Sequence, residues 1–190
     1  MDQVANDKTI FLIAGESGSG KDTFVNKICE ECGYTQLISY TTRPRRDGEG
    51  ETHIFITNEE VEQYQESIIA YTEINNYKYF STVQQLYESD FYVIDPSGIE
   101  YLKNKVGNTD IKFITIYINV PFEVRKNRAI NIRKDSPKTF INRHQSESGQ
   151  FLSFKAQAKF DYAISNLNFD KAYKIFKNII TTELEEDSND

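Results

Sequence analysis

Apolar positions along the chain follow two rhythms. Residues 9–14, TIFLIA, form a short unbroken apolar run that stops at Gly15, the pattern of a strand buried on both faces of a parallel sheet. From Lys21 to Cys32 the apolar positions fall at 24, 25, 28, 29 and 32, one stripe of a helix, and Gly33 follows as its C-cap. Residues 35–39 and 52–57 predict strands, and TNEE at 57–60 has the form of a capping box opening a short helix. Residues 68–74 and the YKYFS run, joined by Asn75-Asn76, predict a hairpin.

Beyond the hairpin the alternation lengthens. Residues 91–95 and 111–120 predict buried strands, 97–107 a helix stopped by Gly107, and 160–165 a last strand. The stretch from Arg125 to about Gln150 is polar and helical, with Ser136-Pro137 as a cap and first-turn pair. Residues 168–186 predict a final amphipathic helix, and the tail at 184–190 is acidic. Strand–helix alternation at both ends, around an irregular β-rich insert, implies a three-layer α/β/α domain with a parallel core sheet. The insert and the 125–150 helices are expected over the carboxyl ends of the strands, where such folds place ligands.

A length of 190 residues with 38% hydrophobic content suits one sizeable core. The formal net charge of −7 argues against a nucleic-acid binder, since phosphate backbones reward a basic face. Basic residues still bunch locally, in TRPRR and between Arg125 and Arg143, which suits a small anionic ligand in a cleft. The amino terminus lacks an apolar signal core and no run approaches the roughly 18–20 apolar residues of a membrane span, so a cytoplasmic protein is expected. Cys29 and Cys32 form CEEC, but there is no second pair, and Glu30 and Glu31 disfavour a thiolate. Both thiols are expected to follow Val25 and Ile28 into the core.

Gly15 to Lys21 fits G-x-x-x-x-G-K. Its glycines let the backbone curl and aim N–H groups at a phosphate, the helix after it adds its positive end, and the lysine reaches the terminal phosphates. Gly15, Ser17, Gly18, Ser19, Gly20, Lys21, Asp22 and Thr23 are therefore candidate ATP-binding residues. Asp22 stands where a hydroxyl residue commonly ligates Mg²⁺. It is itself a hard oxygen ligand, favoured in a first helical turn, and Thr23 still offers a hydroxyl.

The stretch ISYTTRPRRDGEG supplies Arg43, Arg45 and Arg46, whose guanidinium forks match a phosphate dianion. Arg125, Arg128, Arg133 and Arg143 lie on polar helices, from which a mobile lid would clamp a transferring phosphoryl group. A phosphate loop with a second arginine set implies two phosphate-bearing substrates. The run DPSG at 95–98 has the D-x-x-G form of GTPases, but NKVG at 104–107 lacks the aspartate of their base-reading motif.

Taken together, GESGSGKDT, SYTTRPRR followed by THIF, YKYFST, VIDPSG and FDYAISNLNFDKAY, in that order, resemble guanylate kinase over residues 9–180. The resemblance implies a P-loop kinase fold with a core at about 8–38, 83–124 and 151–186, a β-rich monophosphate-binding insert at about 39–82 and a helical lid at about 125–150. It implies transfer of the ATP γ-phosphate to a nucleoside monophosphate with Mg²⁺, in a monomer or homodimer. By matched position Lys21, Arg43, Arg46, Arg133 and Arg143 are the catalytic candidates. Arg43, Arg46, Tyr79 and His53 would hold the acceptor phosphate, and Ser39, Ser81 and Asp95 would lie near its base or form the site wall. Scaffold relatives that bind partners without turnover share the fold but typically lose the intact loop, which this chain keeps.

The departures are specific. In the family a glutamate accepts hydrogen bonds from guanine, and counting back from YKYFST puts Ala70 there. Glu73 lies an odd number of residues away and is expected on the opposite face. His53 stands for an aromatic phosphate ligand, Phe80 for a glycine and Val93 for an acid.

Overall fold

The computed structural model describes residues 8–45, 49–107 and 111–187. Along the chain the elements run β1 (Lys8–Ala14), α1 (Lys21–Cys32), β2 (Gln36–Leu37), β3 (Tyr40–Thr41), β4 (Ile54–Phe55), a 3₁₀ helix (Glu60–Ser67), β5 (Ile68–Ile74) and β6 (Tyr77–Thr82). Next come α2 (Val83–Tyr87), β7 (Phe91–Val93), α3 (Pro96–Val106), β8 (Ile111–Asn119), α4 (Phe122–Asn127), a π turn (Arg128–Ile132), α5 (Pro137–Ala156), β9 (Tyr162–Ser165) and α6 (Phe169–Asp187).

β1 is the central strand of a five-stranded sheet of order β2-β7-β1-β8-β9, parallel throughout. Its apolar run is explained by the alternation of side chains across a sheet covered on both faces. Ile10, Leu12 and Ala14 point into one core layer with Leu102, Phe151 and Phe154 of α3 and α5. Phe11 and Ile13 point into the other, with Phe24, Val25 and Ile28 of α1 and Phe176 and Ile180 of α6. The strand order places the end of β1 where the chain departs to one side for β2 and to the other for β8, the position at which open α/β sheets bind ligands.

A second sheet of order β4-β3-β6-β5 makes up the insert, built on the hairpin of β5 and β6. Asn75 and Asn76 turn it with φ of 52° and 63°, the left-handed pair that a two-residue hairpin loop requires. Thr57 and Glu60 form the reciprocal bonds of a capping box ahead of the 3₁₀ helix, with Thr57 N–H to Glu60 Oε2 at 2.7 Å. Val61, Ile68 and Phe80 give the insert its own small core.

The strand expected at 35–39 is shortened to Gln36–Leu37, which joins the parallel sheet, and a separate strand β3, starting at Tyr40, joins the insert. The helical stretch after residue 124 is also divided, since α4 passes into the π turn and α5 begins only at Pro137, capped by Ser136. The cysteines part company. Cys29 packs against the α1 core layer, where burial pushes its thiol up to about 11, while Cys32 is exposed. The α1 stripe has turned away from the sheet by its last residue, which corrects the expectation that both thiols are buried. Among the described residues, no helix is long and apolar enough to cross a membrane.

Candidate active site

The loop from Gly15 to Gly20 joins β1 to α1, and two of its glycines have left-handed backbones: φ is 84° at Gly18 and 89° at Gly20. A Cβ on Gly18 would stand 2.7 Å from the carbonyl oxygen of Arg125, so only glycine fits there. The loop's carbonyls are tied down into the protein. Arg125 donates to Ser17 O at 3.2 Å and to Val120 O at 3.1 Å. Ser19 O accepts from Asn166 Nδ2 at 2.8 Å and Arg128 Nη1 at 3.4 Å, while Arg128 also holds Asn166 O at 2.7 Å. In a trans peptide the next N–H points opposite to the carbonyl, so fixing these oxygens inward turns the Gly18 and Gly20 amides outward, as a phosphate cradle needs. Arg125 and Arg128 thus shape the loop from below; they are not groups that reach over it.

Glu16 completes this underpinning. It is buried at 4% exposure, accepts from Tyr117 Oη at 2.7 Å and Lys155 Nζ at 3.0 Å, and lies 3.8 Å from Arg125 Nη2. Burial works to raise its pKa, but the Tyr117 and Lys155 hydrogen bonds and the Arg125 charge outweigh it and hold the carboxyl below the usual range. Glu16 occupies a variable position of the loop motif and so escapes a motif-based reading, although an acid inside a glycine-rich loop is unusual enough to mark it.

Cationic groups from three parts of the chain are each held by a carboxylate. Lys21 Nζ lies 3.4 Å from Asp22 Oδ2, and the Lys21 charge holds the Asp22 carboxyl below the usual aspartate value. The Asp22 side chain is nonetheless 65% exposed, and Thr23 beside it is exposed as well. Arg43 forks onto Glu49 at 2.7 and 2.8 Å and donates to Tyr79 Oη at 3.1 Å. Arg133 and Arg143 meet on Asp135 Oδ2, the latter at 3.3 Å. Arg143 has its pKa lowered first by burial and then by the like charges of Arg133 and, more weakly, Arg43.

His53 stacks edge-on to Tyr79, ring centroids 5.6 Å apart. Arg46, the other arginine expected here, lies outside the described residues.

Ala70, Ser81 and Asp95 lie where β5, β6 and α3 meet. Ala70 pairs with Ser81 across the hairpin, and both are buried. Asp95 caps α3, accepting from Gly98 N–H at 2.7 Å, with Thr72 and Ser97 bonded to it as well. Burial still dominates and raises its pKa. Ser39 sits between β2 and β3, its carbonyl accepting from Ile54 N–H at 3.0 Å.

A model of the guanylate kinase family matches residues 7–183. This chain belongs to the guanylate kinase family. It is 27% identical over 190 residues to guanylate kinase from Legionella pneumophila (strain Paris), covering 92% of this chain and 86% of that one. Guanylate kinase from Mycoplasma genitalium is 28% identical over 195 residues, covering 95% and 78%. Among solved structures, guanylate kinase from Anaplasma phagocytophilum superposes with a TM-score of 0.66 at 22% identity, covering 93% of this chain and 86% of that one. That likeness bears on the fold, which is the P-loop kinase fold with a parallel core sheet. Guanylate kinases are ATP-dependent nucleoside-monophosphate kinases, and a phosphate loop together with a second arginine set fits that class.

Against the guanylate kinase pattern, Ala70 is the sharpest departure. It is 1% exposed and belongs to the apolar layer that also holds Tyr92, Phe151 and Phe154. Glu73 is exposed and its carboxylate takes the Tyr71 hydroxyl at 3.4 Å, on the face away from Ala70. At this position of β5 the chain presents a methyl group to the apolar layer.

Proposed function

We propose that this chain transfers the γ-phosphate of ATP to a nucleoside monophosphate, with GMP or dGMP as the default acceptor. The observation that carries the reading is the glycine loop itself, with left-handed Gly18 and Gly20 and its Ser17 and Ser19 carbonyls tied inward, in a chain that also holds Arg43 and Arg143 on carboxylates of the insert and of the segment before α5. Catalysis would be positioning and charge stabilisation during in-line transfer. Lys21 and the outward amides would grip the donor phosphates, Arg43 with Tyr79, His53 and Arg46 the acceptor phosphate, and Arg133 and Arg143 the charge that develops between them.

Asp22 and Thr23 are exposed hard-oxygen donors at the loop's end and fit a role in holding Mg²⁺. Among the described residues no three His, Cys, Asp or Glu side chains cluster as a metal cage, so the nucleotide's own oxygens would supply most ligands. The ion's contribution there is neutralisation of charge on the β- and γ-phosphates.

Ala70 supports a second reading, a kinase for a different nucleoside monophosphate. Losing a carboxylate matched to two guanine donors removes several kcal/mol of discrimination, by analogy with sites built to bond one edge. A binding module without turnover is disfavoured by the surviving Gly15, Gly18, Gly20, Lys21 and Arg43. The test is a coupled assay of Mg²⁺ and ATP against a panel of ribo- and deoxynucleoside monophosphates. If none is phosphorylated, and Lys21→Ala leaves nucleotide binding unchanged, the kinase reading falls.

A further inference from the structure

The helix α5 crosses the phosphate loop and is fastened to it at two successive loop residues. Lys155 pairs with Glu16 beneath the loop. Two turns earlier on α5, both carboxylate oxygens of Glu147 accept from the Ser17 amide, at 3.0 and 3.2 Å. The same helix carries Arg143 one turn before Glu147. A loop that offers amides to anionic oxygens therefore already has an anion on one of them, supplied by the chain itself.

We propose that Glu147 is a built-in competitor for the donor phosphates, and that it sets the affinity for ATP by holding the Ser17 amide until a phosphate displaces it. The proposal rests on the reading of this loop as the ATP site. Carboxylate and phosphate oxygens satisfy the same backbone donor, and both are favoured at the amino end of α1. They cannot share it, because two anions around one N–H repel. Entry of a triphosphate thus requires Glu147 to swing aside, which it is free to do: its side chain is only half-buried. The Lys155–Glu16 contact, and the bond from Ser97 N–H to Gln150 at 3.1 Å, keep the rest of α5 in place as it does so. Glu16 contrasts with Glu147 here, since it is enclosed by three partners and belongs to the framework.

The consequence is quantitative. When only a fraction of molecules has the loop free, the apparent affinity for donor is reduced by that fraction. A latch closed in about 90% of molecules weakens ATP binding about tenfold.

The experiment compares wild type with Glu147→Ala, Glu147→Gln and Glu66→Gln, the last removing an exposed charge from the distant 3₁₀ helix. Isothermal titration gives the affinity for MgATP and for inorganic tripolyphosphate, and hydrogen exchange without ligand follows the loop peptide. The expected result is about tenfold tighter binding of both ligands by Glu147→Ala, a smaller gain for Glu147→Gln, and none for Glu66→Gln. Exchange at Ser17 should quicken in Glu147→Ala while β1 stays protected. Equal affinities in wild type and Glu147→Ala would overturn the proposal, as would the same gain in Glu66→Gln or unchanged exchange at Ser17. If no form binds either ligand, the reading of the loop as a donor site fails, and the proposal with it.

Discussion

Arg43 and Glu49 face each other fork to fork, at 2.7 and 2.8 Å, with side chains only 7% and 12% exposed. The pair fixes the plane of the guanidinium before any substrate arrives, and the Nε bond to Tyr79 fixes it from the other side. Lysine carries the charge but not the fork. Arg43→Lys is therefore expected to raise KM for the acceptor about tenfold or more. Arg43→Ala should also lower stability by about 3 kcal/mol, since it breaks an enclosed ion pair. Steady-state kinetics and denaturant melts separate the two effects.

Lys21 belongs to neither core layer, and its ammonium pairs with the adjacent Asp22. Lys21→Ala should leave the melting temperature within a few degrees of wild type and cut kcat by about 10²–10³, the cost of losing one preorganised donor to developing charge. A variant that unfolds would place the lysine in the framework.

Gly18→Ala puts a methyl group against the Arg125 carbonyl, on a backbone whose φ of 84° an alanine rarely adopts. The expected cost is about 1–3 kcal/mol of stability, with ATP affinity falling further because the outward amides move. A thermal melt and a titration with MgATP check both.

Ala70→Glu introduces a carboxylate into an apolar layer. It should lower the melting temperature, because burying an ionised group is costly without partners. It should also raise kcat/KM for GMP over AMP by about tenfold if the insert lies as the family pattern implies. An unchanged ratio would mean that the acceptor base is read elsewhere.

Asp95 gives a pH signature. Its folded pKa is raised, so the native state binds more protons than the unfolded state above the ordinary aspartate value of 3.8. The sign is then fixed: this group's contribution falls as pH rises from that value through the raised pKa. Asn caps a helix about as well as Asp. Asp95→Asn should accordingly gain stability relative to wild type as pH climbs through that window, and show no gain below it. Urea melts across the range test the trend.

How far the sequence revealed this site depends on whether each signal is local. β1, α1 and the Asn75-Asn76 hairpin were legible because burial pattern, caps and turn residues agree within a few positions. β3 was not, being two residues long and defined by partners on β4 and β6. α2 was missed although Thr82 and Gln85 make a capping box, since it continues directly from β6. The lid register was obscured by the π turn at Arg128–Ile132, which holds more residues than an α turn and rotates every side chain downstream of it. An arginine in a sequence also does not declare its partner. Arg125 and Arg128 serve backbone carbonyls, whereas Arg133 and Arg143 share the Asp135 carboxylate, and only packing distinguishes them.

The pairing of Lys21, Arg43, Arg133 and Arg143 with carboxylates has a further consequence for how a nucleotide arrives. Paired charges cancel within a few ångströms, so beyond a Debye length of roughly 8–10 Å the cleft presents little positive field to draw in an anion. The overall charge of −7 repels one weakly. Capture should be slow for so arginine-rich a site and nearly insensitive to salt, without the electrostatic steering that speeds many phosphate-binding proteins. The recognition of phosphate is then a matter of exchange at close range, one anion for another, and selectivity is exercised after contact.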